Sequence, residues 1–160
     1  MILVTGAAGK TGRAVVSALA AKGCSVRALV HRELQVDLLR SIGARDAIVG
    51  DMLSRSSITR AARDVNAIYH ICPNVNPDEA SFGRIAIEAA EEALVKKFVF
   101  HSVLHPQVER MPHHWLKMRV EEALFESKLD YTILQPAAYM QNVLSEWVSI
   151  VQYGVYNVPY

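Results

Sequence analysis

Ile2-Leu3-Val4-Thr5-Gly6-Ala7-Ala8-Gly9-Lys10-Thr11-Gly12 opens the chain, and its reading decides the fold. A short run of aliphatic residues reads as a strand buried on both faces. Three glycines then turn the chain into the start of an amphipathic helix. Gly6 permits the tight turn, Gly9 lets backbone approach a pyrophosphate, and Gly12 lets the helix pack close to the strand. The helix N-terminus adds unpaired N–H groups and the positive end of a dipole. The spacing is G-x-x-G-x-x-G, not G-x-G-x-x-G, so its specificity lies in the strand–turn–helix context. A bare turn without a ligand is the plain alternative. A nucleoside-triphosphatase phosphate loop is excluded, because the position five residues before Gly9 is Val4 rather than glycine.

Outward from this loop, apolar runs alternate with helical patterns. Strands are expected at Ile2–Thr5, Ser25–Val30, Ala47–Val49, Ala67–Cys72, Phe98–Ser102 and Tyr131–Leu134. Helices are expected at Thr11–Lys22, Leu34–Ile42, Ser56–Arg63, Glu79–Val95 and His114–Ser127. In the first helix Val15, Val16 and Leu19 form the inward stripe. In the last, Leu116, Val120 and Leu124 do so, with Lys117, Glu121 and Lys128 outward. Repeated strand–helix–strand units demand right-handed parallel crossovers. The expected class is α/β, a doubly wound parallel sheet of Rossmann type with about six strands in the order 3-2-1-4-5-6.

The 160 residues fit one domain, and 51% hydrophobic with 21% charged residues exclude disordered and fibrous classes. A net charge of +1 gives no electrostatic case for nucleic acid, and no apolar run approaches the ~20 residues of a membrane span. The start lacks a basic signal region, and Cys24 and Cys72 are too few for a disulfide framework. The chain therefore reads as cytoplasmic, with reduced thiols. Residues 1–136 read as the cofactor domain, and 137–160 as the start of a substrate-side region, cut short or covered by a second copy. The tail Val148–Tyr160 is apolar and aromatic through Tyr153, Val155, Tyr156, Val158 and Tyr160.

A dinucleotide's adenosine ribose belongs at the end of the second strand, where an acidic residue binds a free 2′-hydroxyl. Here His31 and Arg32 follow Val30, and a guanidinium there pairs with a 2′-phosphate. This favours NADP(H) over NAD(H), although Glu33 is adjacent and Arg32 is equally placed as a solvated residue opening a helix. Asp51, beside Met52, is placed to accept from the adenine amino group or to cap the next helix with Ser54. Ile71, Cys72 and Pro73 leave the fourth strand where they would line the cleft. Cys72 itself reads as a small buried hydrophobe.

Further candidates lie near the fifth strand. Ser102 stands at a strand's carboxyl end, where open α/β sheets bind ligands, or simply terminates the strand. Lys117 is four residues after His113 on one helical face. It is placed for a nicotinamide ribose, or for a surface pair with Glu121. His113 or His114 is a proton donor near neutral pH or a solvated helix start. His101, His105, His113 and His114 cluster in sequence but lack ligand spacing, so no metal is expected. Tyr139, Met140 and Trp147 either wall the substrate side or pack on the sheet.

With these residues in view, the chain resembles the NmrA-like branch of the atypical short-chain dehydrogenase/reductase family. The resemblance is carried by Thr5–Gly12, by Gly50-Asp51-Met52-Leu53 and by Val99-Phe100-His101-Ser102. Its most specific part is Lys117-x-x-x-Glu121-x-x-Leu124 with Leu129-Asp130-Tyr131-Thr132-Ile133-Leu134-Gln135-Pro136, continuing through Tyr139-Met140-Gln141-Asn142. It implies cofactor contacts from Gly6, Ala8, Gly9, Lys10, Thr11, Gly12, His31, Arg32, Asp51, Met52, Ile71, Cys72, Pro73, Ser102 and Lys117. Lys117, Ser102 and His113 form the implied catalytic set. The family includes quinone and isoflavone-type reductases and NADP(H) sensors that act through a protein partner. Two departures stand out. The family's common Arg at the end of the second strand is His31 here. The Tyr found four residues before the Lys in typical short-chain dehydrogenases is His113, which speaks against ordinary alcohol–ketone interconversion. The expected function is reduction of a small quinone-like or conjugated-carbonyl acceptor; the alternative is a non-catalytic sensor.

Overall fold

The computed structural model describes residues 1–73 and 75–157. Its chain order is β1 (Ile2–Val4), α1 (Lys10–Ala21), β2 (Val26–Val30), α2 (Val36–Ser41), β3 (Asp46–Val49), α3 (Arg55–Ala62) and β4 (Ala67–His70). There follow α4 (Glu79–Glu92), β5 (Lys97–His101), α5 (Pro112–Glu126), β6 (Tyr131–Leu134) and α6 (Trp147–Tyr153). Short 3-10 turns at Glu33–Gln35 and Met140–Glu146 precede α2 and α6.

All six strands form one parallel sheet in the order β3-β2-β1-β4-β5-β6. The expected topology is the observed one, and the expected strands and helices are present with ends shifted by a few residues. Alternation along each strand sends neighbouring residues to opposite faces. Leu3, Leu29, Ile68, Phe98 and Phe100 thus pack under α3, α4 and α5, with Ile58, Val120 and Leu124. Val4, Val26, Ala28, Val30 and Ile71 pack on the other face under α1 and α2, with Val16 and Leu39.

Polar contacts hold the ends of these elements. Ser54 caps α3 by accepting from the Ser57 amide at 3.3 Å. Pro112 starts α5, where a missing N–H costs nothing. Arg27 pairs across β2 and β3 with Asp46 at 2.8 Å and donates to the Ala61 and Arg63 carbonyls that end α3. Among the described residues no helix is long and apolar enough to cross a membrane.

The strand order reverses between β1 and β4. There the connections leave to opposite faces and open a crevice at the carboxyl edge of the sheet. The glycine turn leaves β1 on one side of this crevice, and Ile71 leaves β4 on the other.

Candidate functional site

The glycine loop is built around contacts that no side chain would allow. Gly6 takes the left-handed conformation, φ +58°, and a Cβ on it would meet the Ile71 carbonyl oxygen at 2.5 Å. A Cβ on Gly12 would fall on the Gly6 carbonyl oxygen and the Ala7 backbone. Gly9, whose amide donates to Gly6 O at 3.1 Å, is the N-cap of α1. Having no side chain, it leaves the first-turn amides of Lys10, Thr11 and Gly12 available for an anion. Lys10 is exposed, while Ala8 and Thr11 are half-buried.

A buried network ties this loop to β4. Thr5 Oγ1 accepts from the Ile71 amide at 3.0 Å and lies 2.9 Å from His70 Nδ1. His70 Nε2 lies 3.2 Å from Cys72 Sγ. His70 has no exposed surface and sits beside Phe98 and Phe100. Burial, helped by the Lys117 charge, pushes its pKa down to about 3, so the ring is neutral. Burial first, and then Glu79, push the Cys72 thiol well up. Cys72 is thus a buried thiol hydrogen-bonded to an imidazole, not only a hydrophobe. Ile71 is also buried, and Pro73 is exposed.

On the adenosine side, Gln35 Oε1 accepts from the amides of His31 and Arg32 at 3.1 and 3.0 Å. This fixes the turn after β2 and leaves both side chains exposed. Asp51 Oδ1 accepts from the Leu53 amide at 2.9 Å, so Asp51 shapes the turn and Ser54 alone caps α3. Met52 packs against the core.

The other edge of the crevice corrects the expected orientation of α5. Lys117 and Glu121 are not outward. The Lys117 ammonium lies 2.7 Å from Glu79 at the start of α4, donates to the His101 carbonyl at 3.4 Å, and sits over the Phe100 ring. Glu121, 3% exposed, accepts instead from the Ser102 hydroxyl and from Gln135 Nε2 at 2.9 and 3.0 Å. The Lys117–Glu121 pair is therefore not formed. Past the ends of β5 and β6, Ser102 and Gln135 hold the Glu121 carboxylate, while Lys117 holds that of Glu79. Ser102 is buried in this knot. His113 packs edge-on against His114, and burial, His114 and Lys117 lower its pKa.

Of the histidines that cluster in sequence, His105, His113 and His114 stay together, and His101 faces a different set of partners. His114 Nδ1 reaches the His105 carbonyl at 3.1 Å. His101 bridges two tyrosines, with Tyr69 Oη 3.0 Å from Nδ1 and Tyr139 Oη 2.5 Å from Nε2. Thr11 Oγ1 donates to Tyr139 Oη at 3.4 Å, so Tyr139 spans the crevice from β5 to the glycine loop. Sequence reading passed over His70, Glu79 and Tyr69. For Tyr69 and His70 the available signal was a polar residue near the carboxyl end of an apolar strand, and for Glu79 an acidic residue opening a helix. Of the tail, Val148, Val151 and Tyr153 are largely exposed; Val158 and Tyr160 lie outside the described residues.

A glycine cradle and an uncapped helix N-terminus at the crossover of a doubly wound sheet define a dinucleotide-binding protein of Rossmann type. Residues 6–153 match the NAD(P)H-binding family, and the chain belongs to it. This agrees with the resemblance to atypical short-chain reductases. The (4-alkanoyl-5-oxo-2,5-dihydrofuran-3-yl)methyl phosphate reductase of Streptomyces griseus is 31% identical, matching 100% of this chain and 55% of that protein. The photosystem II assembly factor Ycf39 of Guillardia theta is 32% identical over 91% of this chain and 49% of its own length. The NADPH-dependent quinone oxidoreductase of Escherichia coli superposes with a TM-score of 0.81 at 26% identity, covering 96% of this chain and 54% of that one. The chain spans about half the length of the curated relatives it matches.

Proposed function

We propose that this chain is the cofactor half of an NADPH-dependent reductase whose acceptor is a small quinone or conjugated carbonyl. One observation carries the reading: the glycine cradle and a connected set of ionisable side chains share one sheet edge. The residues present fit a dinucleotide, because Gly6 and Gly12 let the loop close tightly on Ile71 and on the start of α1, and Gly9 carries no side chain over the uncapped α1 amides. When bound, the reduced nicotinamide supplies the hydride. The protein's part is to bind, orient and protonate.

In this reading Arg32 meets the 2′-phosphate, with His31 beside it, and Asp51 and Met52 border the adenine. Ile71, Cys72 and Pro73 line the floor between the nucleotide halves. Lys117 is the cation nearest the nicotinamide ribose, held there by Glu79. Ser102 acts through Glu121, whose knot sets the end of β5, and His113 borders the acceptor side. Residues 137–160 begin the acceptor wall, where Met140, Leu144, Trp147 and Val151 are exposed. The reductase and quinone oxidoreductase relatives support this class of activity. The test is NADPH oxidation across a panel of quinones and enones, with Lys117→Ala as the control. Tight NADPH binding without turnover of any acceptor overturns it.

A second reading is a sensor of the NADP(H) ratio that acts through a protein partner. It is favoured by relatives named as photosystem II assembly factors. Calorimetry with oxidised and reduced cofactor separates the two readings, since a sensor must bind one form more tightly.

A further inference from the structure

Three side chains from three separate elements converge beside the glycine loop. Tyr69 is the third residue of β4, His101 the last of β5, and Tyr139 follows β6. Their polar atoms form a continuous chain, Tyr69 Oη to His101 Nδ1 at 3.0 Å and His101 Nε2 to Tyr139 Oη at 2.5 Å. Tyr69 and His101 are half-buried, whereas Tyr139 is 36% exposed at the crevice mouth. The Thr11 hydroxyl, from the first turn of α1, donates to the same Tyr139 oxygen at 3.4 Å.

We propose that Tyr139 is the proton donor to the reduced acceptor, with His101 as the relay behind it and Tyr69 setting the His101 tautomer. This rests on the reductase reading. The donor pattern supports it. With Tyr69 O–H donating to Nδ1, the neutral ring carries its proton on Nε2 and donates to Tyr139. Tyr139 Oη then accepts from both His101 and Thr11, and its own proton is left for a molecule in the crevice.

The neutral ring also has a physical cause. Burial, and then the Lys117 charge, lower the His101 pKa, while burial and Tyr139 raise that of Tyr69. The charged or ionisable groups facing the imidazole are Tyr69 from β4, Tyr139 beyond β6, and Lys117 from α5, which reaches its backbone carbonyl.

The step balances. The acceptor gains a hydride from the dihydronicotinamide, which is oxidised, and a proton as the Tyr139 O–H bond breaks and an acceptor O–H bond forms. The His101 Nε2 proton passes to the Tyr139 phenolate, the Tyr69 hydroxyl proton passes to Nδ1, solvent restores Tyr69, and exchange of the ring proton with solvent returns it from Nδ1 to Nε2 before the next turnover. One proton is taken from water per turnover, and no imidazolium accumulates.

The experiment compares two kinds of acceptor with the full chain and NADPH. An enone needs hydride and a proton; a triarylmethane cation needs hydride alone. Tyr139→Phe, which keeps the ring in the acceptor wall, is expected to lower kcat for the enone by about 100-fold more than kcat for the cation. His101→Gln is expected to lower only the enone rate, by about tenfold. Nitrogen NMR of the cofactor-free protein reads the relay without turnover. The wild type should show the neutral Nε2–H tautomer, and Tyr69→Phe should abolish that preference. Equal effects of Tyr139→Phe on both acceptors, or no effect on either, overturn the relay while the reductase reading stands. A wild type that binds NADPH and reduces neither acceptor overturns that reading and the relay with it. A ring protonated on Nδ1 overturns the relay directly.

Discussion

Lys117 on α5 and Glu79 at the start of α4 form an ion pair of 2.7 Å, with 14% and 2% of their side-chain surfaces exposed. A pair this buried costs most when only one partner is removed, because the other charge is left without compensation. Lys117→Met is therefore expected to destabilise the protein by about 3 kcal/mol or more. The double variant Lys117→Met/Glu79→Gln should regain much of that loss. Urea unfolding of the four proteins in the cycle measures it. Additive losses would show that the two side chains do not interact.

The glycine loop separates folding from binding. Gly12→Ala pushes a methyl group into the Gly6 and Ala7 backbone, which cannot yield as a side chain end does. A loss of about 3 kcal/mol is expected. Gly9→Ala meets only the Gly6 carbonyl oxygen, at 3.3 Å. It should stay within about 1 kcal/mol of the parent while weakening NADPH binding at least ~tenfold. Thermal unfolding and calorimetry on the two variants check the contrast.

Arg32 decides between the two cofactors if it meets the 2′-phosphate. Arg32→Ala should weaken NADPH binding by about tenfold or more, the worth of a charge-assisted hydrogen bond, and leave NADH unchanged. Fluorescence titration with each nucleotide measures both affinities. Equal losses for NADPH and NADH would remove Arg32 from the 2′-phosphate.

His70 makes stability depend on acidity. Its folded pKa, about 3, lies below the ordinary 6.5. Between those values the unfolded chain binds a proton that the folded chain does not, so stability falls as pH falls. The slope from this one group is about 1.4 kcal/mol per pH unit. His70→Asn should lose this part of the pH dependence below pH 6.5, while being less stable at neutral pH because the Thr5–His70–Cys72 bonds change. Urea midpoints at several pH values compare the two proteins.

The fold was legible because its determinants are local. A buried strand, a glycine turn and an amphipathic helix each announce themselves within about a dozen residues, and handed crossovers order the sheet. The orientation of α5 was not legible. Lys117 and Glu121 stand four residues apart with opposite charges, the usual pattern of a solvated helix face. Their partners, Glu79 and Ser102, lie 38 and 19 residues away in sequence.

By itself, then, the sequence determined a doubly wound sheet with a glycine loop between β1 and α1. Backbone conformation, strand alternation and glycine spacing are written in neighbouring residues. Only the tertiary structure decided which polar side chains meet. Stacking β4, β5 and β6 side by side brings Tyr69, His101 and Tyr139 together at one edge, across 32 and 38 residues of chain. It also turns Lys117 and Glu121 inward, because the strand ends and the start of α4 supply the partners that make burying those charges tolerable.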